Sequence, residues 1–275
     1  MRKIVVTLAL LALVAAPVLA DNTARVGYHE GTYHEYDDQI SGRATALIAS
    51  VLEGVFTDQA AIYQTSLEAA GHSVDIVYDP AGAWPDLAPY SLILVTTADN
   101  WWGGTWTTGD ETVLGGFLDG GGDVIFMSQD YLYFRPGGHI GFPMDYLGVC
   151  GVVMDPAFGA VGDLSWEGIA GGLLDGQSGV LPGAVGTCFE SNGFFSDEIM
   201  PCIDGLNLWT QPEVGPFPFM EGGCVTENTV FNTFDYSCDP TGAQCDLAIG
   251  TFVDYFGGQS PVEASSWGAI KGMFR

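Results

Sequence analysis

The sequence predicts an α/β protein built on a doubly wound, mostly parallel sheet with helices on both faces. Two continuous apolar runs, 92–96 and 124–127, are typical of strands that are buried on both faces. Between them lies an amphipathic segment, 110–118, which ends at the glycines 120–122. Connections this short predict parallel strands joined by a right-handed crossover.

The segments before this unit predict further elements in order. The apolar run 45–55 is compatible with a buried strand or with the start of a helix. Residues 58–70 predict a helix that ends at Gly71, and the alternating, β-branched segment 73–78 predicts a strand. Thr108 with Glu111 three residues later predicts a capping box at the start of the next helix.

Beyond residue 130 the patterns are shorter. We expect a short helix at 142–147, strands at 148–154 and 229–234, and a helix at 246–256. The Gly- and Pro-rich segment 156–215 predicts an irregular, cysteine-containing insertion.

The first twenty residues predict a signal peptide. Arg2 and Lys3 precede an apolar run, and residues 18–20 resemble a cleavage site with small residues. A retained anchor is the alternative. We expect an exported protein that is extracellular or at the cell surface, and the periplasm is an alternative location. After cleavage we expect no membrane span. The predicted organisation is signal peptide 1–20, extension 21–44, α/β domain 45–258 and tail 259–275.

The charge is strongly acidic, with 34 acidic and seven basic residues and a formal net charge of −27. Such a surface repels phosphate backbones and anionic lipids, so nucleic acid and membrane surfaces are unfavourable partners. Adaptation to high salt and loose binding of divalent ions both fit this composition. No cofactor motif is present, and we expect none.

All six cysteines lie in the second half of the chain. In an exported protein an even number of cysteines predicts disulfides. The sequence has no CxxC motif, so a zinc or redox site is not favoured. The short separations predict two local bridges, Cys188–Cys202 and Cys238–Cys245.

The order YSLILVTT, GDETVLGGFLDGGGDVIFMSQD, FPMDYLGV, VFNTFDYS and AIGTFVDYFG resembles exported bacterial proteins with a class I glutamine amidotransferase-like, flavodoxin-like domain. The resemblance covers 46–257 and implies a doubly wound sheet. Amidotransferases need a Cys in a glycine-flanked elbow, followed by His and Glu. Here the matching strand ends in Phe126-Met127-Ser128-Gln129-Asp130, and the last histidine is His139. The resemblance therefore implies a domain that lacks the catalytic Cys; Cys150, in GVCG, follows a predicted helix and not a strand, so it does not match the elbow.

Two groups of residues suggest catalysis or metal binding. Ser128 ends a strand and is a candidate nucleophile with His139 as its base, although it has no flanking glycines; a strand-end hydroxyl bonded to backbone is the alternative. The candidate metal ligands lie near the predicted cleavage site. Their two histidines are five positions apart, whereas a spacing of four would place both on one face of a helix. These ligands are His29, Glu30, His34 and Glu35.

A tryptophan-rich segment follows the strand 92–96, at the end of a strand where open α/β sheets bind ligands. Its tryptophans, carboxylate and amide suit stacking on a sugar ring or contact with a protein partner. Packing of the aromatics over the sheet edge is the alternative, and binding predicts that these tryptophans face solvent. The candidate residues are Asp99, Asn100, Trp101, Trp102 and Trp106.

The tail resembles an SWG-x-I-K…R ending found on exported proteins, which implies a sorting or anchoring signal. Trp267, Ile270 and Phe274 also fall on one helical stripe, so an amphipathic tail that docks on the domain is equally compatible. The residues that carry the resemblance are Trp267, Gly268, Ile270, Lys271 and Arg275.

Together these patterns favour a non-catalytic exported or cell-surface domain that binds a protein or carbohydrate partner. The alternative is a secreted hydrolase that uses Ser128 and His139, or a metal held near His29 and His34.

Overall fold

The structure of the protein is a computed structural model, which describes residues 45–51, 59–81, 83–97, 106–128, 131–154, 164–181, 197–203, 205–211, 220–234 and 242–257. Backbone contacts separate residues 1–37 from residues 38–275, and every described residue lies in the second unit. The predicted signal peptide, extension and tail lie outside the described residues.

The helices and strands alternate first and then give way to a run of short strands. The elements are β1 Thr45–Ser50, α1 Ala60–Ala69, β2 Ser73–Tyr78, β3 Leu92–Thr96, α2 Thr108–Asp119, β4 Asp123–Met127, α3 Tyr131–Phe134, α4 Phe142–Tyr146, β5 Val149–Val153, β6 Leu164–Gly168, β7 Ser178–Leu181, β8 Glu198–Pro201, β9 Trp209–Gln211, β10 Met220–Gly222, β11 Cys224–Val225, β12 Thr229–Asn232 and α5 Ala243–Gly257.

The central sheet has the strand order β11-β12-β4-β3-β1-β2, and among these described strands only β11 pairs antiparallel to its neighbour. This confirms the predicted mostly parallel sheet and the parallel pairing of 92–96 with 124–127. The run from residue 45 is a strand, because it is inserted between β2 and β3 and its residues 46–49 are fully buried.

Both faces of the sheet are covered, as a doubly wound fold requires. On one face α1 and α5 pack together over Ile48, Leu94 and Ile125. On the other face Leu114 and Leu118 of α2 cover Ile93, Val95 and Phe126, together with residues of α4, β5 and β8. The alternation of buried residues along each strand therefore supplies both halves of the core.

The capping box of α2 is one residue earlier than expected. Thr107, not Thr108, is the N-cap: its Oγ1 accepts from Asp110 N, and its own N–H donates to Asp110 Oδ2 at 2.8 Å. The predicted partner Glu111 pairs with Arg135 instead. Both Thr-x-x-acid registers fit the sequence, and the tertiary ion pair decides between them.

The segment 156–215 differs from the irregular insertion that its composition suggests. Its described residues contain β6, β7 and β9, which join β10 in a four-stranded antiparallel sheet. Trp166 and Trp209 of this sheet are fully buried against Phe234. Two hydrophobic residues of the segment, Trp166 and Trp209, are thus strand residues that reach into the main core.

The predicted bridge between Cys188 and Cys202 is wrong, because Cys202 is bonded to Cys150. These two residues are 52 positions apart, and the pairing of β5 with β8 brings them together. Nearness along the chain is therefore a poor guide. The predicted Cys238–Cys245 bridge remains a prediction, since Cys238 lies outside the described residues; Cys245 is buried in α5.

At the N-terminal edge of the sheet, burial raises the pKa of Asp123 to about 7, and the negative charge of Glu227 adds to this rise. A carboxyl whose pKa is raised on folding stabilises the fold least when it is ionised. The stabilising contribution of Asp123 is fully present below the unfolded pKa, near 4, and is lost as the pH rises through the folded pKa of about 7.

We therefore expect Asp123→Asn to stabilise the protein by about 2 kcal/mol at pH 8 and to have little effect at pH 4. Urea denaturation of both proteins across this pH range measures the difference. Asp86→Asn, at a residue that is exposed, is the control. A stabilisation that is the same at both pH values would contradict the assignment.

Candidate functional site

The carboxyl ends of the parallel strands form a continuous row of residues across the sheet. The register aligns Ser50 with Thr96, Thr96 with Met127, and Met127 with Asn232. One step further along the strands are Thr97, Ser128 and Thr233. Small hydroxyl and amide side chains thus line this edge, where doubly wound folds bind their ligands.

Ser50 lies at the point where the strand order reverses, between β2 and β3. It is fully buried, and its Oγ has no hydrogen-bond partner among the described residues. With the strand period of two, it lies on the same face as Ile48, which is the face that α1 covers. A buried hydroxyl without a partner costs about 1–3 kcal/mol, so a ligand atom or a bound water at this position is favoured.

Both acceptor positions of the Ser128 hydroxyl are used by structural hydrogen bonds. Its Oγ accepts from Thr97 Oγ1 at 2.7 Å and from the backbone N–H of Tyr131 at 3.1 Å. Its own N–H donates to the Asn232 carbonyl at 3.0 Å. The side chain is 1% exposed. This arrangement caps the short helix α3 and ties β3 to β4, which is the structural alternative that the sequence left open.

His139 lies in the turn between α3 and α4, and no hydrogen bond in the described part of the chain joins it to Ser128. Neither Thr97 nor the Tyr131 amide can act as a general base. The described hydrogen-bond partners of Ser128 Oγ therefore include no base that could take the hydroxyl proton.

Trp106 packs inward. Its ring meets Phe126 of β4 edge-on at 5.4 Å between centroids and Trp84 at 5.9 Å. Trp106 is half-buried, and its packed part lies against the aromatic core at the end of β4. Its Nε1–H is nevertheless buried without a hydrogen-bond partner in the described ranges. Asp99, Asn100, Trp101 and Trp102 lie outside the described residues.

A buried ion pair lies next to Ser128, because Tyr131 bonds both to Ser128 and to a member of the pair. The guanidinium of Arg135 binds both carboxylate oxygens of Glu111, with Nη2 to Oε2 at 2.8 Å, and the Tyr131 hydroxyl donates to Oε1 at 2.7 Å. Burial, followed by the Glu111 charge, raises the pKa of Tyr131. The hydrogen bond to Glu111 raises the pKa of Arg135 as well.

The patterns in the sequence did not single out Ser50, Thr97 or the Glu111–Arg135 pair. One signal was available for the pair: the chain has only seven basic residues, and Arg135 follows the aromatic run Tyr131-Leu132-Tyr133-Phe134. A charge in such a setting is usually paired. Ser50 gave no signal, because its meaning depends on the strand order.

Within the described ranges, no group of three or more His, Cys, Asp and Glu side chains converges as a metal site. The candidate ligands His29, Glu30, His34 and Glu35 lie outside those ranges. In the described part of the chain, no helix has the length and apolar character that a membrane crossing requires.

No known protein family and no curated protein matches the sequence. Among solved structures, a ThuA-like protein from Bacteroides uniformis is similar, with 12% identity, a TM-score of 0.54, and coverage of 81% of this chain and 95% of the other. A glutamine amidotransferase from Thermotoga maritima shares 10% identity over 78% of this chain and 96% of its own, with a TM-score of 0.49. At such identities likeness concerns the fold alone. The doubly wound α/β fold expected from the sequence is thus the fold of the ThuA-like protein.

Proposed function

We propose that this protein is a non-catalytic exported or cell-surface domain that binds a carbohydrate or protein partner at the carboxyl edge of its sheet. The observation that carries the proposal is the state of the two edge serines. Ser128, the candidate nucleophile, accepts two structural hydrogen bonds, whereas the buried Ser50 hydroxyl has no partner among the described residues. These two observations support hydrogen-bonding capacity at the edge without an activated nucleophile.

Carbohydrate is the partner class that these groups suit best. Sugar hydroxyls both donate and accept hydrogen bonds, as do the Ser and Thr hydroxyls of this edge. The segment after β3 adds Trp101 and Trp102, whose rings are of the kind that stack on sugar faces. The charge of −27 favours neutral or cationic partners over anionic ones.

A glycan array probed with the full chain tests this proposal. We expect binding to neutral or amino sugars, with affinity reduced at least about tenfold in Trp101→Ala/Trp102→Ala, as expected when aromatic contacts of ~1–2 kcal/mol are lost. Trp267→Ala is the matched control and should bind like the wild type. Binding that survives loss of both tryptophans would contradict the proposed site.

The hydrolase alternative makes the opposite prediction for the same protein. Hydrolysis of a bound sugar or ester that disappears in Ser128→Ala, or that requires an added divalent metal and disappears in His29→Ala/His34→Ala, would replace the binding function with catalysis.

A further inference from the structure

An exposed apolar surface lies on the two-stranded sheet formed by β5 and β8. Ile203 is 99% exposed and Met200 is 52% exposed, although both are large hydrophobic residues. We call this the β5–β8 surface; its members are Met144, Val153, Met154, Met200 and Ile203.

The strand register and the disulfide bring these residues to one part of the fold. Gly151 pairs with Met200 and Val153 with Glu198, so Met200 and Val153 lie on the same face of the two strands. Met200 lies across Gly151, since a Cβ on that glycine would fall 2.4 Å from Met200 Cε. The disulfide links β5 to Cys202, which directly precedes Ile203, and Cys202 Sγ is 4.0 Å from the Met144 carbonyl oxygen. The bridge therefore holds β5 next to the backbone that leads into Ile203.

Contiguous exposed apolar surface usually marks an interaction site, and methionine is typical of surfaces that accept an apolar segment. The charged groups nearest in the chain and in the register are acidic: Asp145 follows Met144, and Glu198 pairs with Val153. The surface thus suits a segment that has apolar anchors and positive charge.

We propose that the C-terminal segment 259–275 of this chain docks on the β5–β8 surface. In an otherwise acidic chain this segment holds two of the seven basic residues, Lys271 and Arg275. Its apolar residues Trp267, Ile270 and Phe274 have spacings of three and four, which place them on one face of a helix. Apolar anchors flanked by basic residues match the apolar surface and its acidic neighbours.

The end of α5 and the β5–β8 surface belong to opposite faces of the central sheet, but a series of contacts joins them. The Tyr255 hydroxyl donates to the Thr226 carbonyl at 2.9 Å. Thr226 in turn adjoins Gly148, where a Cβ would lie 2.6 Å from Thr226 Cγ2. The Gly148 carbonyl accepts from Cys202 N at 2.7 Å. The last turn of α5 is thus connected through three contacts to the residue that precedes Ile203.

The chain between the end of α5 and the docking segment allows a wide reach. Nine residues lie between Gly257 and Trp267, and the ten steps from one to the other span up to about 33 Å when extended. The docking is independent of the proposed ligand site, because the β5–β8 surface and the edge that holds Ser50 consist of different residues.

Hydrogen–deuterium exchange of the full chain tests the proposal, with intact mass confirming that the segment is present. We expect the backbone amides of 264–274 to exchange at least about tenfold faster in Ile203→Asp than in the wild type. Ile203 is almost wholly exposed, so this change removes little packing within the domain. Leu247→Asp, at an exposed apolar residue of α5, is the matched control and should leave the segment unchanged.

Methionine oxidation gives the reciprocal readout. Peroxide should oxidise Met144, Met154 and Met200 several-fold faster in Trp267→Ala/Phe274→Ala than in the wild type. Exchange of 264–274 at the rate of an unstructured peptide in the wild type would overturn the proposal. Protection that disappears on dilution would also overturn it, since it would assign the surface to a second copy.

Discussion

Replacing Arg135 with methionine is expected to destabilise the protein by about 3–5 kcal/mol, a larger effect than we expect from any other single substitution. The substitution leaves the Glu111 carboxylate, which is 7% exposed, without its cation. It also removes the Nη1 hydrogen bonds to the Gly138 and Ile140 carbonyls, which fix the turn after α3. Urea denaturation at pH 7 measures the loss.

Two variants separate the ion pair from simple loss of packing. Glu111→Gln/Arg135→Met should recover part of the stability, because it leaves no buried charge unpaired. Glu68→Gln, at an exposed residue of α1, should change stability by no more than about 0.5 kcal/mol. A loss below 1 kcal/mol for Arg135→Met would mean that Glu111 reaches solvent in solution.

Removing the Cys150–Cys202 bridge is expected to cost about 4 kcal/mol, from the loop-closure entropy of a bridge that spans 52 positions. The Cys150→Ser/Cys202→Ser variant tests this by urea denaturation without reductant. Cys188→Ser is the informative control: it should leave stability nearly unchanged if Cys202 pairs with Cys150. A larger loss for Cys188→Ser than for Cys150→Ser would restore the pairing that the sequence suggested.

The sequence was most reliable where a pattern is local and repeated. The strands at 92–96 and 124–127 were predictable because burial on both faces produces long apolar runs. The strand at 73–78 was predictable from its alternating, β-branched pattern, and the helix at 108–119 from its amphipathic one. The antiparallel sheet inside 156–215 was not predictable in this way. Its strands have three to five residues, which is too short to show a period, and the pairing of β6 with β9 joins residues about 40 positions apart in the chain.

The sequence predicted where the candidate site lies in the fold, but it did not predict which residues form it. The end of β3 could be expected beside the carboxyl ends of the other strands, because parallel strands end on the same side of a sheet. The role of Ser128 depends on Thr97 and on the Tyr131 amide, and the role of Ser50 depends on its position between β2 and β3. Such roles follow from which strands are neighbours, and a single sequence does not specify that.

Binding at this edge without an activated serine is tested most directly with a serine-reactive fluorophosphonate. The full chain is incubated with the reagent and its peptides are measured by mass spectrometry, with Ser128→Ala alongside. We expect no adduct on Ser128 under conditions that fully label a control serine hydrolase, because its Oγ accepts two hydrogen bonds and meets no base among the described residues. Stoichiometric labelling of Ser128 that is absent in Ser128→Ala would contradict the proposed non-catalytic function.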